Sequence, residues 1–342
     1  MKEKIELDGK IIAIIIRSNF TKNGIEFFTP NDFSQQLGYM KREKGYQIKV
    51  SSFFDLRLWK FLHTPENNFL KIFGTLKGYL RRLKDLFLVN NYDLVYVFMW
   101  VTPLGSIFFE WLLRKLAKKL IYDFDDAVHL KHQSTELNIT QKLVGVLRGR
   151  NKTNFLIKKA DHVIVSSPFH VKYCKKNNYK KSCSYIPCSL NGERFVPLKH
   201  KRVNETVVIG WTGTFSSKFY LDSISEVFSE LKKRCKFKLV LIGNFDYEFP
   251  LLDIEVKQWK KETEVEDLQL FDIGIYPLIE DDWSLGKGAM KAMHYMSIGI
   301  PVVATDFGTT SPIFLNPWAK PTNSHPSAKT VLHSLSQNCW SV

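Results

Sequence analysis

Short apolar runs alternate with stretches of helical periodicity along most of the chain. Runs rich in β-branched or aromatic residues at 11–16, 47–52, 93–99, 119–124, 162–166, 183–187, 206–211, 238–242, 271–276 and 300–304 predict strands, and amphipathic stretches separate most of them. This alternation predicts an α/β protein with mainly parallel sheets. The polar stretch "CSLNGERFVPLKHKRVNET", 188 to 206, has no long periodic pattern and precedes a new strand, which makes it the expected linker. The pattern therefore divides the chain into two doubly wound Rossmann-like domains facing a cleft, 1–195 and 196–310, followed by an atypical tail, 311–342. Ligands of such folds bind beyond the carboxyl ends of strands.

Two helical stretches carry cations among their apolar positions. In "NNFLKIFGTLKGYLRRLKDLFLVNN", 67 to 91, Phe69, Ile72, Phe73, Leu76, Leu80, Leu83 and Phe87 recur at helical spacing beside Lys71, Lys77, Arg81, Arg82 and Lys84, and "FFEWLLRKLAKKL" repeats the theme. Such helices lie on anionic lipid, or else turn the apolar stripe into a core and leave the lysines solvated. The most membrane-like segment, Val95 to Leu113, is broken by Pro103 and Gly105 and carries Glu110, so it reads as strand, loop and helix rather than a spanning helix.

At 342 residues, with 44% hydrophobic content, the chain is long enough for two cores. A formal charge of +15 implies an acidic partner such as a phosphorylated substrate, an anionic membrane surface or nucleic acid. No nucleic-acid motif accompanies the charge, so no nucleic-acid partner is expected. The five cysteines show no paired or Cys/His metal spacing, which predicts neither zinc site nor disulfide framework and suits a reducing cytoplasm. The amino terminus has acidic residues at its front and an apolar run of only six, unlike an export signal.

The segment "DDWSLGKGAMKAMHYMSIGIPVVATD", 281 to 306, predicts a helix with Met290, Met293 and Met296 on one side and a stop at Gly299 and Pro301. Its expected first turn holds Gly286, Lys287 and Gly288, a poor helix start: glycines cost about 1 kcal/mol each against alanine, and a cation opposes the dipole. An anion at the helix amino terminus would reverse both objections, and Lys287, Lys291 and His294 would share one face toward it. Asp281 and Asp282 satisfying the dipole alone is the competing reading. A second glycine turn, in "VVIGWTGTF", places Gly213 and Thr214 beyond a buried strand with Lys218 following, in position for phosphate or sugar contact or for a plain turn. In "LIYDFDDAVHLKH" a strand ends in Asp123, Asp125 and Asp126, whose mutual repulsion is expected to raise pKa values and suit hydroxyl binding. A helix-capping loop and a haloacid-dehalogenase-type nucleophile are the alternatives.

These segments, with "YDLVYVFMWVTPLG", "ADHVIVSSPFHVKYC" and "YIPCSLNGERFVP", resemble in order and spacing the GT-B fold glycosyltransferases of family 4, of the bacterial polysaccharide type. The resemblance implies a retaining transferase, with a nucleotide-diphosphate sugar as co-substrate and no other cofactor or metal. It implies a sugar or lipid-linked acceptor and a cytoplasmic protein at or near the inner face of the membrane. It places the donor diphosphate on Gly213, Thr214, Lys218, Gly286, Lys287 and Gly288, and assigns catalytic work to Lys291 with Asp125 and Asp126 on the acceptor side. The family's pair of glutamates eight residues apart would fall on Gly286 and His294, so those donor-sugar contacts do not carry over. After residue 308 the sequence turns rich in Ser and Pro with no Asp or Glu, where relatives continue with further helices. A shifted frame or truncation is the expectation there, and with it a second function class: a catalytically silent membrane-surface partner of a polysaccharide assembly complex.

Overall fold

The computed structural model describes residues 10–17, 19–21, 24–26, 47–54, 68–130, 150–188, 190, 192–197, 206–249 and 252–311. The chain forms two compact units, Met1–Pro187 and Cys188–Val342. The tail from 312 lies outside the described residues, as does His132.

The first unit runs β1 (Lys10–Arg17), β2 (Asn19–Thr21), β3 (Gly24–Glu26), β4 (Gln47–Phe54), α1 (Asn68–Leu88), β5 (Leu94–Phe98), α2 (Phe108–Leu116), β6 (Leu120–Phe124), α3 (Arg150–Lys159), β7 (His162–Val165), α4 (Pro168–Asn177) and β8 (Cys183–Tyr185). Six strands form one parallel sheet in the order β4-β1-β5-β6-β7-β8, and β2 and β3 pair as a small antiparallel hairpin. Covered parallel strands read as continuous apolar runs, and β5, "LVYVF", is buried over its first four residues. Val97, Tyr122, Phe124 and Val163 pack with Leu113 of α2 and Leu156 of α3 in the core. Ser167 caps α4 by accepting from the Phe169 N–H, with Pro168 in the first turn.

Helix α1 meets the sheet with its polar side. A Cβ on Gly78 would stand 2.4 Å from the Phe53 ring, so only glycine lets the helix backbone lie this close to β4. One turn on, the buried Arg82 guanidinium donates to Asp85 Oδ2 at 2.8 Å, to Ser51 Oγ at 2.9 Å and to the Val101 carbonyl at 2.7 Å. Of the two readings of this stripe, core or lipid face, the core reading fails: Phe69, Ile72, Phe73, Leu76, Leu80, Leu83 and Phe87 are all exposed. A second buried pair, Lys152 with Glu110 at 3.6 Å, fixes the loop after β5, because Lys152 also donates to the Thr102 and Leu104 carbonyls.

The second unit runs β9 (Val207–Thr212), α5 (Lys218–Asp222), α6 (Ser225–Lys232), β10 (Phe237–Gly243), β11 (Ile254–Gln258), α7 (Glu264–Leu268), β12 (Ile273–Tyr276), α8 (Asp282–Leu285), α9 (Met290–Ser297) and β13 (Val302–Ala304). Its five parallel strands lie in the order β11-β10-β9-β12-β13. The chain builds outward from β9 on one side and then crosses to β12 on the other, so the topological switch point falls between β9 and β12. Part of the expected linker, 188 to 206, packs within this unit, with Arg194 pairing to Glu264 at 2.7 Å and Phe195 stacking on His294 at 4.5 Å.

Candidate functional site

Each wall of the candidate site arises from the switch point of the second unit, where a doubly wound sheet opens a crevice beyond its carboxyl ends. On one side β9 ends at Trp211 and Thr212, with Gly213 next in the chain. A Cβ on Gly213 would lie 2.1 Å from the Trp211 indole, so the glycine makes room for that ring. The Gly213 N–H donates to the Ile242 carbonyl at 2.9 Å and the Thr214 N–H to Ser217 Oγ at 2.9 Å. Both amides thus already have acceptors, one on β10 and one inside the turn. Lys218 opens α5 with Nζ 3.6 Å from Asp222 Oδ2 and 4.9 Å from the centre of the Tyr247 ring.

On the other side, the chain leaving β12 makes one helical turn, α8, capped by Asp281 Oδ1 accepting from the Ser284 N–H at 2.6 Å. Here the structure corrects the sequence reading. Gly286, Lys287 and Gly288 precede α9 instead of forming its first turn, because Ala289 adopts the left-handed conformation at φ 56° and helix begins only at Met290. That conformation costs a non-glycine residue roughly 1–2 kcal/mol. The acidic residues upstream therefore cap α8 and leave the amino end of α9 to itself. Ala289 supplies no side-chain cap, and the first amides of a helix have no acceptor within it.

The expected shared face of Lys287, Lys291 and His294 changes for the same reason. His294 stacks on Phe195 instead, and burial pushes its pKa down to about 4. The two lysines still converge. Lys291 Nζ lies 4.6 Å from the centre of the Trp211 ring, and Lys287 Nζ lies 5.5 Å from that of Tyr220, whose hydroxyl meets Ser284 Oγ at 3.0 Å. Removal from water, and then the charge of Lys287, lower the Lys291 pKa to about 7. Tyr295 fixes the helix behind them, its hydroxyl accepting from the Thr212 N–H at 2.9 Å. The glycine turn after β9 and the lysines after β12 are thus joined through Trp211. Neither Trp211 nor Tyr220 is singled out by the sequence reading, although a glycine two residues beyond a strand tryptophan is a usable signal.

In the first unit, Asp125 and Asp126 follow β6 and are half-buried. The Asp125 carbonyl accepts from Ser166 Oγ at 2.8 Å, and the Asp126 carbonyl accepts from the Val128 N–H at 2.7 Å. Asp123, one step inside the strand, accepts a hydrogen bond from the Tyr96 hydroxyl. Its pKa is raised to about 7 by burial, against the pull of that hydrogen bond, and not by repulsion among the three acids. A buried acid that holds its proton is ill suited to act as a nucleophile. His129 sits among the rings of Phe124, His170 and Tyr173. Among the described residues, no three His, Cys, Asp or Glu side chains group as metal ligands.

Two parallel Rossmann-like sheets in succession, the second with its switch point beside a paired-lysine turn, give this chain the GT-B fold of glycosyltransferases. It is similar to the solved structure of a glycosyltransferase from Rickettsia africae, at 13% identity and a TM-score of 0.59 over 97% of this chain and 88% of that one. It is also similar to the lipopolysaccharide outer core galactosyltransferase WaaB in its apo form, at 12% identity and TM-score 0.55 over 96% and 89%. A third, an alpha-glucosyltransferase solved with UDP-glucose and DNA containing an abasic site, matches at 11% identity and TM-score 0.54 over 97% and 91%. At such identities the likeness is one of fold, which does not by itself fix activity. No protein-family model and no curated protein matches the sequence.

Proposed function

We propose that the protein is a glycosyltransferase of family 4 type, moving a sugar from a nucleoside-diphosphate sugar to an acceptor hydroxyl with retention at the anomeric carbon. The observation that carries this reading is the pair Lys287 and Lys291, set against aromatic rings at the switch point of the second sheet. A departing diphosphate gathers negative charge, and preorganised cations in a partly dry site stabilise that charge more in the transition state than in the bound donor. Lys291 and the open amides of α9 are placed for this, and Lys287 adds a second charge. No protein nucleophile is invoked; rate comes from charge stabilisation and from positioning the acceptor, for which Asp125 and Asp126 are the proposed contacts in the first unit. No cofactor is required beyond the nucleotide sugar.

One structural neighbour is a lipopolysaccharide outer core galactosyltransferase and another was solved with UDP-glucose, in keeping with a nucleotide-sugar donor and a saccharide acceptor; the acceptor proposed here is a saccharide or lipid-linked intermediate of polysaccharide assembly, handled on the cytoplasmic side. Purified protein would be offered UDP-, GDP- and ADP-sugars in a thermal-shift screen, and the stabilising donor carried into a transfer and hydrolysis assay. One donor should stabilise the protein, and Lys291→Ala should lower transfer by orders of magnitude. A Lys291→Ala enzyme with undiminished transfer removes the assignment. Donor binding with neither transfer nor hydrolysis makes the chain the silent partner of an assembly complex instead.

A further inference from the structure

Two thiols of the first unit are held against each other by the turn that joins their elements. Cys174 lies in α4 and Cys183 opens β8, with 178–182 between them. Asn178, itself buried, fixes that turn with both ends of its side chain. Its Nδ2 donates to the Ile157 and Ala160 carbonyls at 2.7 and 2.9 Å, and its Oδ1 accepts from the Lys180 and Ser182 N–H groups, each at 3.0 Å. The Asn178 N–H donates to the Cys174 carbonyl at 2.7 Å, and Lys181 lies in the left-handed region at φ 50° within the turn. On its far side Cys183 pairs with Val163 of β7. The backbone is therefore pinned at both thiols.

Cys174 is buried in the core of the unit, and half-buried Cys183 packs against the same cluster. The Cys174 thiol donates a hydrogen bond to the Cys183 sulfur. That bond lowers the Cys183 pKa against the effect of burial, with Lys175 assisting. The same bond, together with burial, pushes Cys174 up. A core cysteine that only fills space has no need of a second thiol at hydrogen-bonding distance. Here the more exposed member is the better thiolate, and its partner stands behind it in the place of a resolving thiol.

We propose that Cys174 and Cys183 are a reversible redox pair, closed by low-molecular-weight disulfides into a bridge that staples α4 to β8. With glutathione disulfide, the Cys183 thiolate attacks one sulfur and one glutathione leaves. Cys174 then gives up its proton, attacks the Cys183 sulfur and expels the second glutathione. The protein loses two electrons and two protons, and two glutathione thiols take them up. In a reducing compartment such a bridge is transient, which is how redox sensors work. The inference does not rest on sugar transfer and stands or falls separately from it.

Reduced full-length protein would be incubated with glutathione disulfide, its remaining thiols alkylated, and its unreduced digest read by tandem mass spectrometry. The expected product is a pair of peptides joined through Cys174 and Cys183, lost on treatment with dithiothreitol; fragment ions distinguish Cys183 from nearby Cys188. Cys174→Ser should stop at a glutathione adduct on Cys183. Cys183→Ser should be modified at Cys174 at least about tenfold more slowly than the wild-type bridge forms. If a buried serine unfolds the chain, the wild-type map decides the matter alone. A Cys183 adduct that never resolves in wild type, a bridge to Cys188 or Cys235, no reaction at either thiol, or a bridge that forms only in urea overturns the proposal.

Discussion

A lysine drawn out of water beside a second lysine gives up its proton easily and takes it back when an anion arrives. Free Lys291, with its pKa lowered to about 7, is largely neutral at pH 8, whereas beside a diphosphate it regains its charge. Since the phosphates of a nucleotide sugar do not titrate near neutrality, binding at pH 8 should take up close to one proton. Calorimetry in buffers of different ionisation enthalpy reads this directly, and Lys291→Met should abolish it; uptake that persists in the variant removes Lys291 from the diphosphate site. Asp123 titrates in the opposite sense. Its carboxyl holds a proton up to about pH 7 in the folded chain, against an ordinary value of 3.8. The stability this contributes is complete below about pH 4, declines as pH rises, and is gone above about pH 7, with a slope of at most about 1.4 kcal/mol per pH unit. Urea unfolding at pH 5 and pH 7.5 should show that slope in the wild type and a shallower one in Asp123→Asn; equal slopes would detach the effect from this residue. The lysines were legible in the sequence because cations beside glycines break local helix rules. Trp211 was not, because a tryptophan in an apolar strand reads as core, which it is, and only its contact with Lys291 adds a second role.

Helix α1 shows how an element can be located correctly while its orientation stays hidden. The periodicity of its apolar residues predicts a helix over 67–91, and α1 spans Asn68–Leu88, but the same periodicity cannot say which side faces the sheet. That choice is made by Gly78 and by the Arg82–Asp85–Ser51 network, neither of which stands out from a list of apolar positions. Asp85→Ala would strand a buried guanidinium whose pKa burial already lowers to about 10. It should cost about 3–5 kcal/mol of stability, while Leu80→Ser, on the exposed stripe, should stay within about 0.5 kcal/mol. Denaturant unfolding of the two variants compares them, and the reverse ranking would mean that the stripe is the buried side. Strands were easier to read, since buried parallel strands are continuous apolar runs. The exception is β11: in Ile254–Gln258, Ile254 and Val256 alternate with Glu255 and Lys257, the pattern of a sheet edge, where Glu255 meets Lys238 at 2.7 Å and Lys257 meets Asp267 at 3.0 Å. Helix α9 was found but started too early, because a left-handed Ala289 carries no signal that composition reveals.

At the scale of the whole molecule, the alternation of strands and helices was enough to anticipate two doubly wound units, since parallel connections have few sterically allowed arrangements. Strand order was not legible, and it is strand order that creates the site: β9 and β12 become neighbours across the switch point although more than sixty residues separate them. A donor bound there touches a small part of the chain, and its effect should be unevenly distributed. At a hundredfold excess over the dissociation constant it stabilises the folded state by about 2.7 kcal/mol, and a domain of this size gains roughly 2–4 °C in melting temperature per kcal/mol. Hydrogen exchange should locate that gain. Amides at 211–214 and 286–292, with the opening turn of α9, should slow most strongly when the stabilising nucleotide sugar is added. Helix α1, whose contacts with β4 lie wholly within the first unit, should exchange at an unchanged rate. Protection centred on the strand ends of the first unit, with 211–214 and 286–292 unaffected, would move the nucleotide away from the paired lysines and leave the lowered pKa of Lys291 without a ligand to explain it.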